Sequence, residues 1–253
     1  SMADNLQMFM LPALIVWGVI WLALMVFEIK LLRISFENTF DVNKIHFGWL
    51  LYPFALGMLS VTGAGIAALS KSADIAHAAA FFTMISASMG FFLLVVKLIA
   101  LFKSHFAKDG LPDRQFLPSF LIVIPNITLY AITAFRMGHY FEHQFAAEMG
   151  MYFTIVILLS FAFETWYLLF GLSLLRDYFR RHFAKEFYVS QWGLVCPVVA
   201  YAVLGSFLYS VFVPSIIIYV LVIITLIVAV ILFFTLLSKQ IRCKVGSKSM
   251  QCF

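Results

Sequence analysis

The sequence predicts an all-α polytopic membrane protein: seven transmembrane helices built from repeated helical hairpins, three of them with a proline-kinked helix. Three observations carry that expectation. Seven segments, roughly 9–33, 46–70, 77–104, 116–137, 149–177, 188–210 and 214–238, are apolar for long enough to cross a bilayer, which takes about 20 residues at 1.5 Å rise each. The chain is 64% hydrophobic and only 11% charged, with a mean hydropathy of +1.01, whereas soluble domains keep roughly a quarter of their residues charged. Finally, a proline recurs in three of the seven spans at 53, 125 and 197, 72 residues apart each time.

Taken in order, the first span (9–33) is a long apolar run with no Lys or Arg before it, too long for the apolar core of a secretory leader. The second (46–70) opens with Trp49-Leu-Leu-Tyr52-Pro53 and continues through Gly57 and Gly63. The third (77–104) is again plain and apolar. The fourth (116–137) carries Leu121-Ile-Val-Ile124-Pro125, then Thr128 and Ala131. The fifth (149–177) contains an acid, Glu164, deep in its apolar stretch. The sixth (188–210) carries Trp192-Gly-Leu-Val-Cys196-Pro197, then Ala200 and Gly205. The seventh (214–238) is nearly all Ile, Val, Leu and Phe, as a lipid-facing outer helix should be. None of the segments alternates with a period of two, which excludes a membrane β-barrel. The pattern is one outer helix followed by three hairpins, each a kinked helix plus an outer one, and residues 1–253 read as a single transmembrane domain.

A proline inside a helix removes one i→i−4 hydrogen bond, and in lipid the freed carbonyl needs a protein partner or a wet cavity. Recurrence at one depth in three helices therefore points to helices that line something together.

Basic residues orient the bundle. Helix ends and loops after spans one, three and five carry Lys30, Arg33, Lys44, Lys97, Lys103, Lys108, Arg114, Arg176, Arg180, Arg181 and Lys185, and the C-terminal tail adds Lys239, Arg242, Lys244 and Lys248. The alternate loops hold only Lys71 and Arg136. The positive-inside rule then places the N-terminus outside and the C-terminus in the cytoplasm. The net charge of +5 is thus a topology signal and not a nucleic-acid footprint. Three cysteines, at 196, 243 and 252, make no paired framework, and a cytoplasmic tail predicts thiols rather than structural disulfides.

No Gly-rich phosphate loop, HExxH motif or nucleophile elbow occurs, so the chain does not read as an enzyme. His77, His139 and His143 fall near the outer face, and His46, His105 and His182 near the cytoplasmic one. His139 and His143 share a helical face, a spacing that suits a metal, but Glu142 is their sole acidic neighbour. No cofactor or metal is predicted.

Four stretches resemble the tellurite-resistance/dicarboxylate transporter family, which includes the slow anion channels. They are Ser35-Phe36-Glu37 with His46-Phe47; Pro118-Ser119-Phe120 with Pro125-Asn126 and Ala134-Phe135-Arg136-Met137-Gly138; Phe163-Glu164 with Leu174-Leu175-Arg176; and Trp192-x-x-x-Cys196-Pro197. The resemblance implies inner, kinked helices ringing a pore, trimers with one pore per subunit and small anions as the transported species; the localisation expected is a bacterial inner membrane. Family members have ten helices against the seven counted here, and Cys196 stands where the family has its gating phenylalanine.

On that pattern Tyr52, Ile124 and Cys196, with Pro53, Pro125 and Pro197, are the candidate pore or gate residues. Thr62, Asn126, Thr128 and Ser206 are candidate polar lining. Glu164 and Lys97 are intramembrane charges. A buried Glu must face protein or water and have a partner, and Lys97, one hairpin back, is a candidate for that partner. The function expected is a membrane channel or permease for small anions. The alternatives are a membrane redox or cofactor protein using Cys196 or the outer histidines, and a non-transporting scaffold subunit.

Overall fold

A computed structural model describes residues 7–37, 45–106, 113–212, 214–244 and 251–252 of the chain. Lys44, Lys108 and Lys248, counted above among the orienting charges, lie outside them, and for Lys244 and Cys252 only the backbone is described. The helices are α1 (Met10–Glu37), α2 (Leu51–Leu69), α3 (Ala73–Phe106), α4 (Val123–Phe145), α5 (Gly150–Leu174), the short α6 (Arg176–Arg181), α7 (Val195–Val211) and α8 (Ile216–Lys244). All but α6 are long and apolar enough to cross a membrane, alone or with a preceding 3-10 turn, so the described residues contain seven candidate spans. A two-residue parallel pairing joins β1 (Glu186–Phe187) to β2 (Gln251–Cys252).

The helices differ from the apolar segments mainly at their ends. α4 continues eight residues beyond 137, through His139, Tyr140, Glu142 and His143. Hydropathy marks where lipid would end, but backbone hydrogen bonding continues across a polar end that still buries Met137 and Tyr140. Arg136, counted above with the loops, lies inside α4 and donates to the Val61 carbonyl at 2.8 Å. The expectation of unbridged cysteines fails at Cys243, which is disulfide-bonded; the Cys196 thiol is free.

The proline repeat takes a more specific form than a kink. Each proline-bearing span opens as a 3-10 segment, Phe47–Leu50, Leu117–Ile122 or Val189–Leu194, and converts to α-helix at Leu51, Val123 or Val195. Those three start points are themselves 72 residues apart. Pro53, Pro125 and Pro197 each occupy the third α-helical position, in the first turn. There the missing N–H falls among donors that an α-helix leaves unpaired in any case. The prolines mark the change of helix type at the head of each α-helix instead of interrupting its interior.

These three spans are also the buried ones. They bury 61, 78 and 44% of their most apolar stretch, against 22, 28, 22 and 11% for the spans of α1, α3, α5 and α8.

The chain divides into two compact units. The first holds residues up to Ile45, Leu50–Ala100 and Leu129–Val156. Its core gathers Met10, Trp17, Leu59, Ala64, Ile66, Ala67, Ala76, Ala79, Ala80, Met137 and Tyr140. α2 presents a buried run of small residues, Gly57, Ser60, Gly63, Ala64, Gly65 and Ala67, which lets backbones approach where lipid offers no hydrophobic drive for helix association. Trp17 uses that proximity, donating its indole N–H to the Leu59 carbonyl at 2.9 Å.

The second unit holds His46–Trp49, Leu101–Thr128 and the chain from Ile157 onward. Phe47 packs on Phe102, His105 and Phe120. Tyr167 stacks on Phe120 and donates to its carbonyl at 3.1 Å. Gly171 lets α5 approach Leu121 and Phe120, and Gly205 lets α7 approach Val222 and Phe161.

Candidate functional site

The 3-10 turn holds the residue before each proline at the second α-helical position. Their settings differ. In the first unit Tyr52 is half-buried, and the ammonium of Lys97 lies 4.1 Å from its ring centre, a cation–π contact. In the second unit Ile124 is fully buried, while Cys196 is exposed on its helix. Pro53, Pro125 and Pro197 are all buried. The Pro53 carbonyl accepts the Tyr130 hydroxyl at 2.6 Å.

The polar lining candidates fall into two kinds. Thr62 and Ser206 are exposed, and their hydroxyls donate to the carbonyls four residues back, of Met58 and Ala202, at 2.9 Å each. Asn126 and Thr128 are buried in α4. Asn126 Nδ2 donates to the Ile122 carbonyl at 2.8 Å. Thr128 Oγ1 lies 2.6 Å from Glu164 Oε1, joining α4 to α5. Glu164 is fully buried, and its second carboxyl oxygen has no hydrogen-bond partner among the described residues.

Thr128 is thus the hydrogen-bond partner the structure gives Glu164. Lys97 interacts electrostatically with Glu28 of α1, a buried acid that the sequence reading passed over. The signal was present: Glu28 is an acid inside an apolar span, as Glu164 is. Tyr130, which also feels the charge of Glu28, was missed for a different reason, because nothing in a helix sequence marks a tyrosine that reaches another helix's carbonyl. Ser60 and Ser86, 3.0 Å apart and buried, form a further unforeseen polar contact in the first unit, and Thr165 and Tyr201, 2.9 Å apart, one in the second.

A second polar cluster lies where the loops meet α8. Lys239 is buried, donates to the Phe183 carbonyl and sits 3.8 Å from that ring's centre. Gln191 is held between Tyr178 (2.7 Å) and the Glu186 carbonyl (3.0 Å), and Glu186 accepts from His182 and Arg114 at 3.1 and 3.4 Å. Burial and the neighbouring Glu186 push the Tyr178 phenol up to about 12, so it serves as a neutral hydrogen-bonding group. The outer histidines have local partners: His77 meets Tyr140 at 2.7 Å and His139 meets Glu142 at 2.9 Å. Among the described residues no three His, Cys, Asp or Glu side chains gather as a metal site would need.

The proline-bearing helices carry the hydroxyls of Thr62, Thr128 and Ser206 and the amide of Asn126, Lys97 of α3 lies beside Tyr52, and α4 adds the charge of Arg136. Comparison with curated proteins and with solved structures gives no match. A family model does match, over residues 2–241. By that match, and in keeping with seven long apolar helices among the described residues, the chain belongs to the voltage-dependent anion channel family.

Proposed function

We propose that this chain passes small anions across the membrane along a path lined by its three proline-headed helices, acting as a single transmembrane domain. The observation that carries the reading is the 72-residue recurrence of one element, a 3-10 turn, an α-helix start and a buried proline, in the three most buried spans of an anion-channel family member. The residues before the prolines, Tyr52, Ile124 and Cys196, are the constriction, and Thr62, Asn126, Thr128 and Ser206 supply the polar lining. The distribution of Lys and Arg supports an external N-terminus and a cytoplasmic C-terminus; the membrane proposed is a bacterial inner membrane. The family resemblance supports a homotrimer.

Reconstitution into liposomes tests the central point. Chloride or nitrate flux is expected from the wild type. Tyr52→Ala and Cys196→Ala should raise it severalfold, and Cys196→Phe should lower it by restoring a ring at the position. Absence of flux under every anion gradient would sink the reading. Labelling of terminal epitopes before and after permeabilisation checks orientation, and the subunit mass in detergent checks the trimer.

A further inference from the structure

Proton counting at the contact between Thr128 and Glu164 leads past simple conduction. Thr128 Oγ1 lies 2.6 Å from Glu164 Oε1 and 3.1 Å from the Ile124 carbonyl oxygen. A hydroxyl carries one hydrogen. If Glu164 were ionised, both neighbours would be acceptors and one contact would lack a proton. Glu164 Oε2 would in addition be a bare carboxylate oxygen, since the side chain is fully buried and nothing among the described residues donates to that atom. Burying an unpaired charge is far costlier than burying a neutral carbonyl oxygen.

A carboxylic acid removes both difficulties. Its O–H donates to Thr128 Oγ1, Thr128 donates onward to the Ile124 carbonyl, and Oε2 remains as a neutral carbonyl oxygen. The surroundings agree. From α7, the titratable group facing Glu164 is Tyr201, whose hydroxyl is engaged with Thr165 at 2.9 Å. Among the described residues no basic side chain acts on Glu164.

We infer that Glu164 is a proton-binding site: it rests as a neutral acid donating to Thr128 on the proline-headed helix α4, and that proton permits anion passage. The link to anions rests on the conducting role proposed above. When the proton leaves to water, a carboxylate forms on Glu164 beside Thr128, which lies three residues beyond Pro125, and Thr128 turns its single hydrogen toward it. The new negative charge repels an anion in a low-dielectric setting where little screens it.

Infrared spectroscopy of the purified full-length protein tests the site itself. At neutral pH the wild type should show the carbonyl stretch of a protonated carboxyl that Glu164→Gln lacks. Thr128→Val should move that band to the frequency of an acid without an acceptor. A wild-type spectrum that matches Glu164→Gln in this region, or a band indifferent to Thr128→Val, overturns the proton site.

Liposome flux tests the link. Wild-type chloride flux should fall as the pH is raised, and Glu164→Gln, whose amide also donates to Thr128, should hold its flux across the same range. An equal alkaline fall in both proteins overturns the link. If the infrared band is present but neither protein passes any anion, the proton site stands, while the conducting role and the link both fail.

Discussion

The hydroxyl of Tyr130 donates to the Pro53 carbonyl at 2.6 Å, tying α4 to the first turn of α2. The same hydroxyl fills the space over Gly90 of α3, where an added Cβ would stand 2.0 Å from it and 2.8 Å from Leu56 Cβ. Three helices of the first unit thus meet at one phenol, beside the proline that heads α2. Tyr130→Phe removes the hydrogen bond and leaves the ring, so it should cost about 1 kcal/mol. Gly90→Ala should cost more, roughly 1–3 kcal/mol, because Leu56 cannot retreat as a flexible side chain can. Combined, the two changes should cost less than their sum, since Phe vacates the closest clash. Thermal unfolding in detergent measures all three, and strict additivity would count against a shared contact.

Glycines separate close approach from mere composition. An added Cβ at Gly63 would stand 2.2 Å from Thr83 Oγ1 and 2.3 Å from the Trp17 ring, whereas one at Gly18 would meet nothing within 4 Å. Gly63→Ala should therefore destabilise by roughly 1–3 kcal/mol through overpacking. Gly18→Ala should be neutral or stabilising by up to about 1 kcal/mol, as helix propensity favours Ala. Equal effects at the two sites in a thermal-shift assay would refute the packing argument.

What the sequence made legible follows from how membranes constrain chains. Apolar length alone fixes helix number, because each backbone polar group must be satisfied within its own segment, so seven spans were readable. The repeat was readable too, since Pro53, Pro125 and Pro197 have positions to compare. Its local form was not: a 3-10 turn with proline in the following first α-turn has the same sequence as a helix interrupted at proline. Side-chain partners were least legible. Glu164 was recognisable as a group needing a partner, but Thr128, 36 residues earlier and uncharged, carries no mark that selects it over Lys97. Cys243 shows a similar limit, its bridge depending on a compartment argument that the fold does not follow.

His46, just ahead of the second span, which begins at Phe47, supplies a pH dependence. His46 accepts the Gly48 N–H at Nδ1 at 3.2 Å and stacks on Phe116 with ring centres 4.3 Å apart. The accepting nitrogen must be unprotonated, and burial pushes the imidazole below its usual value. A histidine with a folded pKa lower than its unfolded one contributes stability that is fully present above the unfolded value, about 6.5. That stability is lost as pH falls from there through the lowered folded value. Wild-type unfolding temperature should decline over that window, and His46→Asn, which keeps an acceptor without titrating there, should flatten the decline. An unchanged slope in His46→Asn would assign the acid sensitivity elsewhere.

Glu28 and Lys97 interact between α1 and α3, and their energetic asymmetry is testable. Glu28 is only 3% exposed, while Lys97 is half-buried and rests on the Tyr52 ring. Breaking a fully buried pair costs about 3–5 kcal/mol because a charge is stranded, and the partial exposure of Lys97 reduces that figure. Lys97→Met should strand Glu28 and cost on the order of 2 kcal/mol. Glu28→Gln should cost less, since a lysine has a long stem with which to reach water. The double variant, with both charges gone, should recover most of the loss, giving a coupling between the two sites of about 1 kcal/mol or more. A double-mutant cycle on unfolding in detergent measures it. Additive losses would mean that each residue is held by other neighbours, and that the charge beside Tyr52 is set independently of α1.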